Sequence, residues 1–334
     1  MRAEGGSGVT AWASPAWREA AVAWLDGRLA EAGMERAGAA EQTHLRPWAT
    51  VLQAPVSGGG RVWMKAAAPA TAFEAGLYDL LVRTVPDHVL TPIATDPERG
   101  WMLLPDGGPT LGEREAGAEL AGALVQYGQL QRALSPHAGE LLALRVADMR
   151  PAAMTERFEE ALAATHPVSE AGRETHRRIA AMAPAVAAWC ERLAASPVPP
   201  SLDHNDLHPW NVLSDGTGPV RYYDWGDSVV AHPFAAMLVP LGFVQRGLGA
   251  TLDDPRFLHA RDAYLDVFAD LAPREELAET LALACRVGKI ARTLIWHRAL
   301  QTAREQGEEL APEFVAAPLE TLASLLDESY LGGS

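Results

Sequence analysis

Apolar residues recur at helical spacing near the start of the chain and stop at Gly33. The members of this stripe are Trp17, Ala21, Trp24, Leu25 and Leu29. Ser14 and Pro15 precede it, and a serine N-cap followed by proline at the first helical position is a common helix start. The pattern predicts an amphipathic helix whose tryptophans anchor a core.

Short segments rich in strand-forming residues follow between residues 35 and 104. They span residues 49–53, 61–65 and 101–104. Ser57 and three consecutive glycines separate the first two segments, which predicts a tight β-hairpin. Residues 71–82 carry an apolar helical stripe. A strand pair, a helix and a further strand indicate a small mixed lobe with an antiparallel sheet.

The chain changes character at the breaker sequence Asp106-Gly107-Gly108-Pro109, which we interpret as a linker. Beyond it, periodic Ala- and Leu-rich stretches predict a mainly helical region at residues 120–134, 174–194, 262–270, 274–299 and 318–326. We therefore expect an α+β fold with two lobes. Residues 1–105 form the small lobe with its leading helix, and residues 106–334 form the larger helical lobe.

Composition and charge narrow the class of protein. Hydrophobic residues make up 48% of the chain and charged residues 21%, which argues against global disorder. The formal net charge is −15, whereas nucleic-acid binding depends on clustered Lys and Arg, so no nucleic-acid partner is expected. An acidic surface suits a cationic substrate, but it is more often simply typical of ordinary soluble enzymes.

Cysteines and apolar runs give expectations about redox chemistry and location. Cys190 and Cys285 lie far apart without a partner motif, so neither a disulfide framework nor a zinc site is expected. The first residues, Met1–Gly8, lack the apolar stretch of a secretory leader, and no run approaches the length of a membrane span. We expect a soluble cytoplasmic protein with no membrane partner.

The segment from Ser201 to Asp227 carries the candidate chemistry. Asp206 is followed five residues later by Asn211 and thirteen residues after that by Asp224. Turn-forming residues at 215–219 separate two short β-prone stretches, which predicts a hairpin. Such a hairpin would bring Asn211 and Asp224 together, with Asp206 beside them.

Phosphoryl transfer requires an arrangement of this kind. A carboxylate must orient the attacking hydroxyl and accept its proton, and two oxygen donors must hold Mg²⁺ against the phosphates. Asp206 is the candidate base, and Asn211 and Asp224 are the candidate metal ligands. Taken singly, each of these residues is more often a turn former, but the joint spacing His-x-Asp-x-x-x-x-Asn followed by an Asp loop is that of the protein-kinase fold.

The unit His204-Asn205-Asp206-Leu207-His208-Pro209-Trp210-Asn211, with Asp224-Trp225 after it, resembles the aminoglycoside phosphotransferase and choline-kinase-like family. Asp-Trp stands where a protein kinase has Asp-Phe-Gly, and no convincing Ala-Pro-Glu follows. The resemblance implies a two-lobed kinase-like fold, ATP or GTP as phosphoryl donor, Mg²⁺ as cofactor and a small-molecule acceptor. It covers residues 42–236.

The same resemblance implies three nucleotide-binding positions in the first lobe. Lys65 and Lys289 are the only lysines of the chain, and Lys65 ends a predicted strand. It is expected to hold the nucleotide phosphates, with Glu74 on the following helix as its partner. Backbone groups near Leu104 are expected to contact the base. Gly58–Gly60 is not assigned to phosphates, because the equivalent loop of the family lies one turn earlier, around residues 43–48.

Two histidines of the catalytic segment have alternative roles. His208 follows Asp206 by two residues, so it either contacts the γ-phosphate or packs within the loop. We assign it to catalysis. His204 is expected to orient the loop backbone. The family's downstream Asp-Leu-Ala is missing its carboxylate here, where Ala236 stands.

The acceptor is expected to be a small hydroxylated molecule, and a cationic one is a specific option. Asp227, Trp210 and Trp225 are candidates to face it, although filling the core is an equal interpretation of the tryptophans. Antibiotic inactivation and phosphorylation of an amino alcohol, a sugar or another metabolite remain open. A kinase-like binding or regulatory protein without turnover is the alternative from another class. The sequence sets neither the choice of ATP or GTP nor the oligomeric state.

Overall fold

The strand-forming segments up to residue 105 pair into one antiparallel sheet in the computed structural model, which describes residues 8–115 and 117–331. The strands are β1 (Glu41–Arg46), β2 (Ala49–Pro55), β3 (Arg61–Ala67), β4 (Ala94–Asp96) and β5 (Trp101–Pro105). They lie in the order β1-β2-β3-β5-β4. Gly58, Gly59 and Gly60 all adopt positive φ in the β2–β3 turn, a conformation that costs glycine no steric penalty.

Three helices accompany this sheet: α1 (Val9–Trp12), α2 (Pro15–Glu31) and α3 (Phe73–Thr84). Helix α2 begins as predicted, because the Ser14 side chain accepts a hydrogen bond from the Trp17 N–H and Pro15 occupies the first turn. Its apolar stripe packs in one core with the buried face of the sheet. The ring centroids of Trp17 and Trp101 lie 6.0 Å apart, edge to face.

The chain forms two compact units. The first runs to Gly108 and also contains Arg298–Pro312, and the second contains Pro109–His297 and the chain from Glu313 onward. The sequence placed a boundary at residue 105 and did not indicate that 298–312 groups with the first unit. Contacts distant in sequence decide this grouping, such as the hydrogen bond of 3.0 Å from the Thr10 N–H to Glu308 Oε1.

The second unit is mainly helical, and nine helices lie wholly or largely in its described part. They are α4 (Leu120–Leu134), α5 (Ala138–Ala143), α6 (Met154–Ala164), α7 (Glu170–Ala180), α8 (Ala183–Ala194), α9 (Leu238–Leu248), α10 (Pro255–Leu265), α11 (Arg274–Glu305) and α12 (Pro312–Ala323). The stretch predicted as one interrupted helix at 174–194 forms two, with Pro184 in the first turn of the second. Proline is favoured at that position because its missing N–H is not needed there.

Very short strands complete the second unit. Strand β10 (Val229–Ala231) pairs in parallel with β6 (Ala147–Met149) and antiparallel with β7 (Ser201–Asp203). Strands β8 (Val212–Leu213) and β9 (Arg221–Tyr222) form the predicted hairpin. Polar side chains of helix α4 anchor β7.

The anchoring bonds come from Tyr127 and Gln131. The Gln131 amide donates to the Leu202 carbonyl at 3.1 Å, and the Tyr127 hydroxyl accepts from the His204 N–H at 2.8 Å. Both side chains are buried, where each such hydrogen bond is costly to lose. They fix the end of β7, from which the loop with the candidate catalytic residues emerges.

The predicted α+β class is confirmed: a small antiparallel-sheet unit and a larger, mainly helical unit. Within the described residues, no helix combines the length and the apolar character needed to cross a membrane.

Candidate active site

The loop that follows β7 carries Asp206, whose two carboxylate oxygens contact different side chains. Arg292 Nη2 donates to Oδ1 at 2.8 Å, and His208 Nε2 lies 3.4 Å from Oδ2. The side chain of Asp206 is about a quarter exposed, at 26%. The carboxylate is therefore held in a defined orientation while remaining accessible to solvent.

The charge state of Asp206 follows from two opposing effects. Burial favours the neutral acid and raises the pKa, but the hydrogen bond with His208 and the positive charge of Arg292 outweigh it. The pKa of Asp206 consequently lies well below its ordinary value. The carboxylate is ionised at neutral pH, as a proton acceptor must be.

The β8–β9 hairpin brings Asn211 and Asp224 together at its open end, away from the turn. The Tyr223 N–H donates to the Asn211 carbonyl at 3.3 Å, and Asp224 follows directly. The Asn211 Nδ2 donates to the Asp206 carbonyl at 3.0 Å. Because a carbonyl can only accept, this bond identifies the amide nitrogen and leaves Asn211 Oδ1 pointing elsewhere, as a potential ligand oxygen.

Asp224 adopts the left-handed conformation, with φ at 62°. Few residues other than glycine tolerate this region, and Asp and Asn are enriched in it. Asp224 is exposed, whereas Asn211 is buried. The hairpin thus presents one buried amide and one exposed carboxylate, both oxygen donors of the kind that Mg²⁺ prefers.

Metal-binding side chains of other types do not converge in the part of the chain that the structure describes. No group of three or more His, Cys, Asp or Glu side chains lies close enough there to hold an ion. Asn211 and Asp224 form a two-residue oxygen set, which fits Mg²⁺ because this ion usually keeps several waters and substrate phosphates as its other ligands.

His204 joins the catalytic loop to the hairpin. Its Nε2 donates to the Tyr223 carbonyl at 2.9 Å, and its ring lies 4.8 Å from that of Trp225. Burial lowers the pKa of His204, so the ring is neutral. These contacts agree with the orienting role expected from the sequence.

His208 lies at the edge of an aromatic group on the surface of the second unit. Its ring centroid is 6.0 Å from Trp210 and 5.8 Å from Phe243. Arg246 stacks over Phe243 with its guanidinium carbon 4.8 Å from the ring centroid. His208 therefore contacts the Asp206 carboxylate on one side and aromatic rings on the other, and its predicted role toward phosphate stays a prediction.

The two tryptophans and one aspartate predicted to face the acceptor differ in their exposure to solvent. Trp225 is fully buried and belongs to the core, whereas Trp210 is 51% exposed. Asp227 is partly exposed. Gly112 supports Trp210, because a Cβ at residue 112 would approach the indole to 2.5 Å. Of the two tryptophans, Trp210 alone offers a surface beside Asp206.

Lys65 and Glu74 meet within the first unit, as the resemblance implied. Lys65 Nζ lies 2.6 Å from Glu74 Oε2. Glu74 is almost completely buried at 1% exposure, and Lys65 keeps 15%. A buried carboxylate requires a charged partner, and the pair fixes the lysine side chain along its strand. The ammonium group has three donor positions, of which this contact uses one.

Leu104 is buried in β5, and the sheet itself uses its backbone groups. The Ala67 N–H donates to the Gly100 carbonyl at 2.9 Å, and the register of the same strands pairs Trp63 with Leu104. Hydrogen-bonded pairs alternate in an antiparallel ladder, so both backbone groups of Leu104 face Trp63. The neighbouring carbonyls of Leu103 and Pro105 face the other way, and the Leu103 carbonyl accepts from the Ile93 N–H at 2.7 Å.

Arg292 is the site residue that the sequence analysis missed. It lies on α11, far along the chain, and its bond to Asp206 spans 86 residues. A signal existed: Arg286, Lys289 and Arg292 recur every third residue, which places three basic side chains along one face of the predicted helix. The other two members donate to carbonyls near the C-terminus.

Asp203, at the end of β7, is also unusual because it is a completely buried acid. Burial raises its pKa to about 7. A raised pKa means that the folded protein binds this proton more tightly than the unfolded chain does. Ionisation of Asp203 therefore lowers the free energy of unfolding as pH rises from about 4, the pKa in the unfolded chain, to about 7, the pKa in the folded protein. Above pH 7 this loss stays constant.

We expect wild-type protein to lose a few kcal/mol of unfolding free energy relative to Asp203→Asn over this interval, since the amide does not ionise. Urea unfolding of both proteins at several pH values between about 4 and 8 measures the difference. Parallel pH curves for the two proteins would show that Asp203 does not titrate there.

Comparison with known proteins agrees with this geometry. A model of the phosphotransferase enzyme family named APH matches residues 61–271. The match includes Lys65, Asp206, Asn211 and Asp224 but ends before Arg292. A search of curated protein sequences finds no significant match to this chain.

Solved structures of several small-molecule kinases have similar folds. The macrolide 2′-phosphotransferase MphH of Brachybacterium faecium is 19% identical with a TM-score of 0.55, covering 93% of this chain and 98% of that one. The choline kinase LicA of Streptococcus pneumoniae is 14% identical with a TM-score of 0.58, covering 91% of this chain and 98% of that one, and LicA is also known in complex with AMP. An ethanolamine kinase of Plasmodium vivax is 11% identical with a TM-score of 0.59, covering 86% of this chain and 82% of that one. Identities this low show the kinase-like fold alone.

Proposed function

Because the chain belongs to the APH phosphotransferase enzyme family, we propose that it transfers the γ-phosphoryl group of ATP or GTP to a hydroxyl of a small molecule. One observation carries the proposal. The Asn211 side-chain Nδ2 donates to the backbone carbonyl of Asp206, and the backbone carbonyl of Asn211 accepts from the N–H of Tyr223, the residue before Asp224. A base and two oxygen ligands are thereby assembled by direct hydrogen bonds.

Asp206 is the proposed base. Its ionised carboxylate orients the acceptor hydroxyl and takes its proton as the bond to phosphorus forms. The loose transition state of phosphoryl transfer needs positioning more than strong basicity, so a carboxylate with a low pKa is adequate. The fixed orientation of Asp206 supports this role.

Asn211 Oδ1 and the Asp224 carboxylate are the proposed Mg²⁺ ligands. Both are hard oxygen donors, and the hydrogen bond from Asn211 Nδ2 to Asp206 turns Oδ1 away from the loop. A magnesium ion held there would neutralise charge on the nucleotide phosphates. His204 supports the site by holding the backbone that precedes Asp224.

Lys65 is the proposed phosphate ligand of the first unit, held by Glu74. The proposed base contact shifts from Leu104 to the Pro105 carbonyl. Extension of the β4–β5 register would place Pro92 opposite Pro105, and a proline has no N–H to occupy that carbonyl. A carbonyl acceptor at this position suits the amino group of adenine, and the AMP complex of LicA is consistent with an adenine nucleotide.

The acceptor we propose is a hydroxylated molecule with an apolar or amine-bearing face. The ring centroids of Trp210 and Phe243 lie 6.1 Å apart, and His208 packs between these rings and the Asp206 carboxylate. An exposed indole attracts apolar rings and alkylammonium groups. Macrolides, the substrates named for MphH, and choline, named for LicA, both carry such a face, so both belong in the first substrate panel.

Replacing Trp210 should weaken acceptor use selectively. We expect Trp210→Ala to lower kcat/KM for the acceptor by about fivefold, since one aromatic contact contributes on the order of 1 kcal/mol. The KM for the nucleotide should stay unchanged. Steady-state kinetics with each substrate varied in turn measures both quantities.

Two matched variants control this experiment. Trp210→Phe keeps an aromatic surface and should retain most activity. Gly112→Ala leaves Trp210 in the sequence but forces its indole to move, because the added Cβ would lie 2.5 Å from the ring. Equal acceptor kinetics in wild type, Trp210→Ala and Gly112→Ala would remove Trp210 from the acceptor site.

The competing hypothesis is that the chain is a kinase-like protein that binds nucleotide without turnover. The presence of Lys65, Asp206, Asn211 and Asp224 together disfavours it. Magnesium-dependent nucleotide consumption across macrolides, aminoglycosides, amino alcohols and sugars, with mass analysis of each acceptor, distinguishes the two. A phosphorylated acceptor supports the proposal. Tight binding of Mg-nucleotide without any product supports the binding protein.

A further inference from the structure

The residue before the base, Asn205, has a backbone conformation that its own side chain does not hold. Its φ is 63°, in the left-handed region. Asn enters this region more readily than most residues when its short polar side chain bonds locally. Here the buried amide nitrogen Nδ2 of Asn205 has no hydrogen-bond partner among the residues that the structure describes. Other groups must therefore hold the loop in this shape.

Two side chains, those of Asp203 and Arg292, hydrogen-bond the backbone of Asn205. The Asp203 carboxylate accepts from the Asn205 N–H at 2.7 Å. Arg292 Nη1 donates to the Asn205 carbonyl, and Nη2 of the same guanidinium donates to Asp206 Oδ1 at 2.8 Å. Asp203 is buried, and Arg292 keeps 23% exposure.

We propose that Asp203 and Arg292 form a clamp on Asn205 that positions the Asp206 carboxylate for catalysis. This inference rests on the proposed function. The planar guanidinium forms two parallel contacts, one to the loop backbone and one to the base, which a lysine ammonium cannot reproduce in the same geometry. Arg292 and Asp203 are positioning residues, since they act through Asp206.

The clamp extends the catalytic machinery beyond the segment that the family motif describes. Asp203 belongs to β7, and Arg292 belongs to a helix outside residues 61–271. The orientation of the base is therefore set from a helix of the second unit that no catalytic-loop motif would identify.

Kinetics separates positioning from acceptor binding. We expect Arg292→Ala to lower kcat by about 100-fold, because a displacement of about 1 Å at a reacting group costs that much, while the acceptor KM stays within about threefold. Arg292→Lys should recover only part of the loss. Added guanidinium ion should restore turnover of Arg292→Ala in a concentration-dependent way. A raised acceptor KM with unchanged kcat would overturn the proposal, because Arg292 would then bind the acceptor.

Hydrogen exchange tests the clamp without any acceptor. Exchange of the peptide spanning residues 202–208 should accelerate in Arg292→Ala and in Asp203→Leu. Asp203→Asn should not accelerate exchange relative to wild type, since its amide oxygen can still accept from the Asn205 N–H. Unchanged exchange in both Arg292→Ala and Asp203→Leu would overturn the clamp.

Arg286→Ala is the matched control. Arg286 lies on the same helix and donates to the carbonyls of Asp327 and Glu328 at 2.9 and 2.6 Å, away from the catalytic loop. Its variant should leave the exchange of residues 202–208 and the turnover unchanged. If wild-type protein phosphorylates no acceptor, the proposed function fails, while the exchange experiment still decides whether the clamp holds the loop.

Discussion

Asp206→Asn should lower phosphoryl transfer by about 10²- to 10⁴-fold while nucleotide affinity stays near that of wild type. The amide retains the size of the carboxylate but cannot take the proton from the acceptor hydroxyl. Asp206 contributes to the proposed metal ligands only through its backbone carbonyl, which the substitution preserves. Turnover and Mg-nucleotide dissociation constants, measured on the same preparation, give the two quantities.

Asp206→Ala is the companion variant and should lose at least as much turnover. The alanine also removes the hydrogen bond from Arg292 to the carboxylate. Hydrogen exchange of the loop therefore reports whether a loss of turnover comes from a change in loop structure. Near-normal turnover in both variants would show that another group accepts the proton. A matching loss of nucleotide affinity would instead place Asp206 among the nucleotide ligands.

Asp224→Asn should remove the response of nucleotide binding and turnover to magnesium. We expect turnover to fall by about 10³-fold, since a carboxylate ligand and its negative charge are both lost from the ion. Asparagine is the appropriate replacement because it tolerates the left-handed conformation of residue 224, which an alanine would strain. Titration of Mg²⁺ at fixed nucleotide concentration measures the effect.

Asp227 provides the control for this substitution. It lies three residues further on and is partly exposed, but we assign it no metal. Asp227→Asn should leave the magnesium titration unchanged. The same titration curve for wild type and Asp224→Asn would mean that the metal loop has been assigned to the wrong residues.

Local patterns predicted much of this molecule. The β8–β9 hairpin could be anticipated because turn residues lie between two β-prone stretches. The Lys65 and Glu74 pairing followed from a resemblance together with the scarcity of lysine. The leading helix was visible from its cap and its stripe. In each case the information lies within a few residues or in a motif of fixed spacing.

Other features depend on contacts that no local pattern records. Strands β6, β7 and β10 have three residues each, too few for any periodicity. Arg292 reaches Asp206 from a helix 86 residues away, so its role depends on tertiary packing. Leu104 was predicted near the nucleotide base, but the alternation of the β3–β5 ladder shows that its own backbone faces Trp63.

We propose that this chain moves a γ-phosphoryl group to a hydroxyl with Asp206 as the base. The most direct test supplies Mg-ATP with heavy oxygen in the γ-phosphoryl group and weighs each acceptor of the panel after incubation with wild type or Asp206→Asn. We predict an acceptor that gains a phosphoryl group with all its heavy oxygens in wild type and almost none in the variant. Release of labelled inorganic phosphate without any change in acceptor mass, or equal transfer by both proteins, would contradict the account.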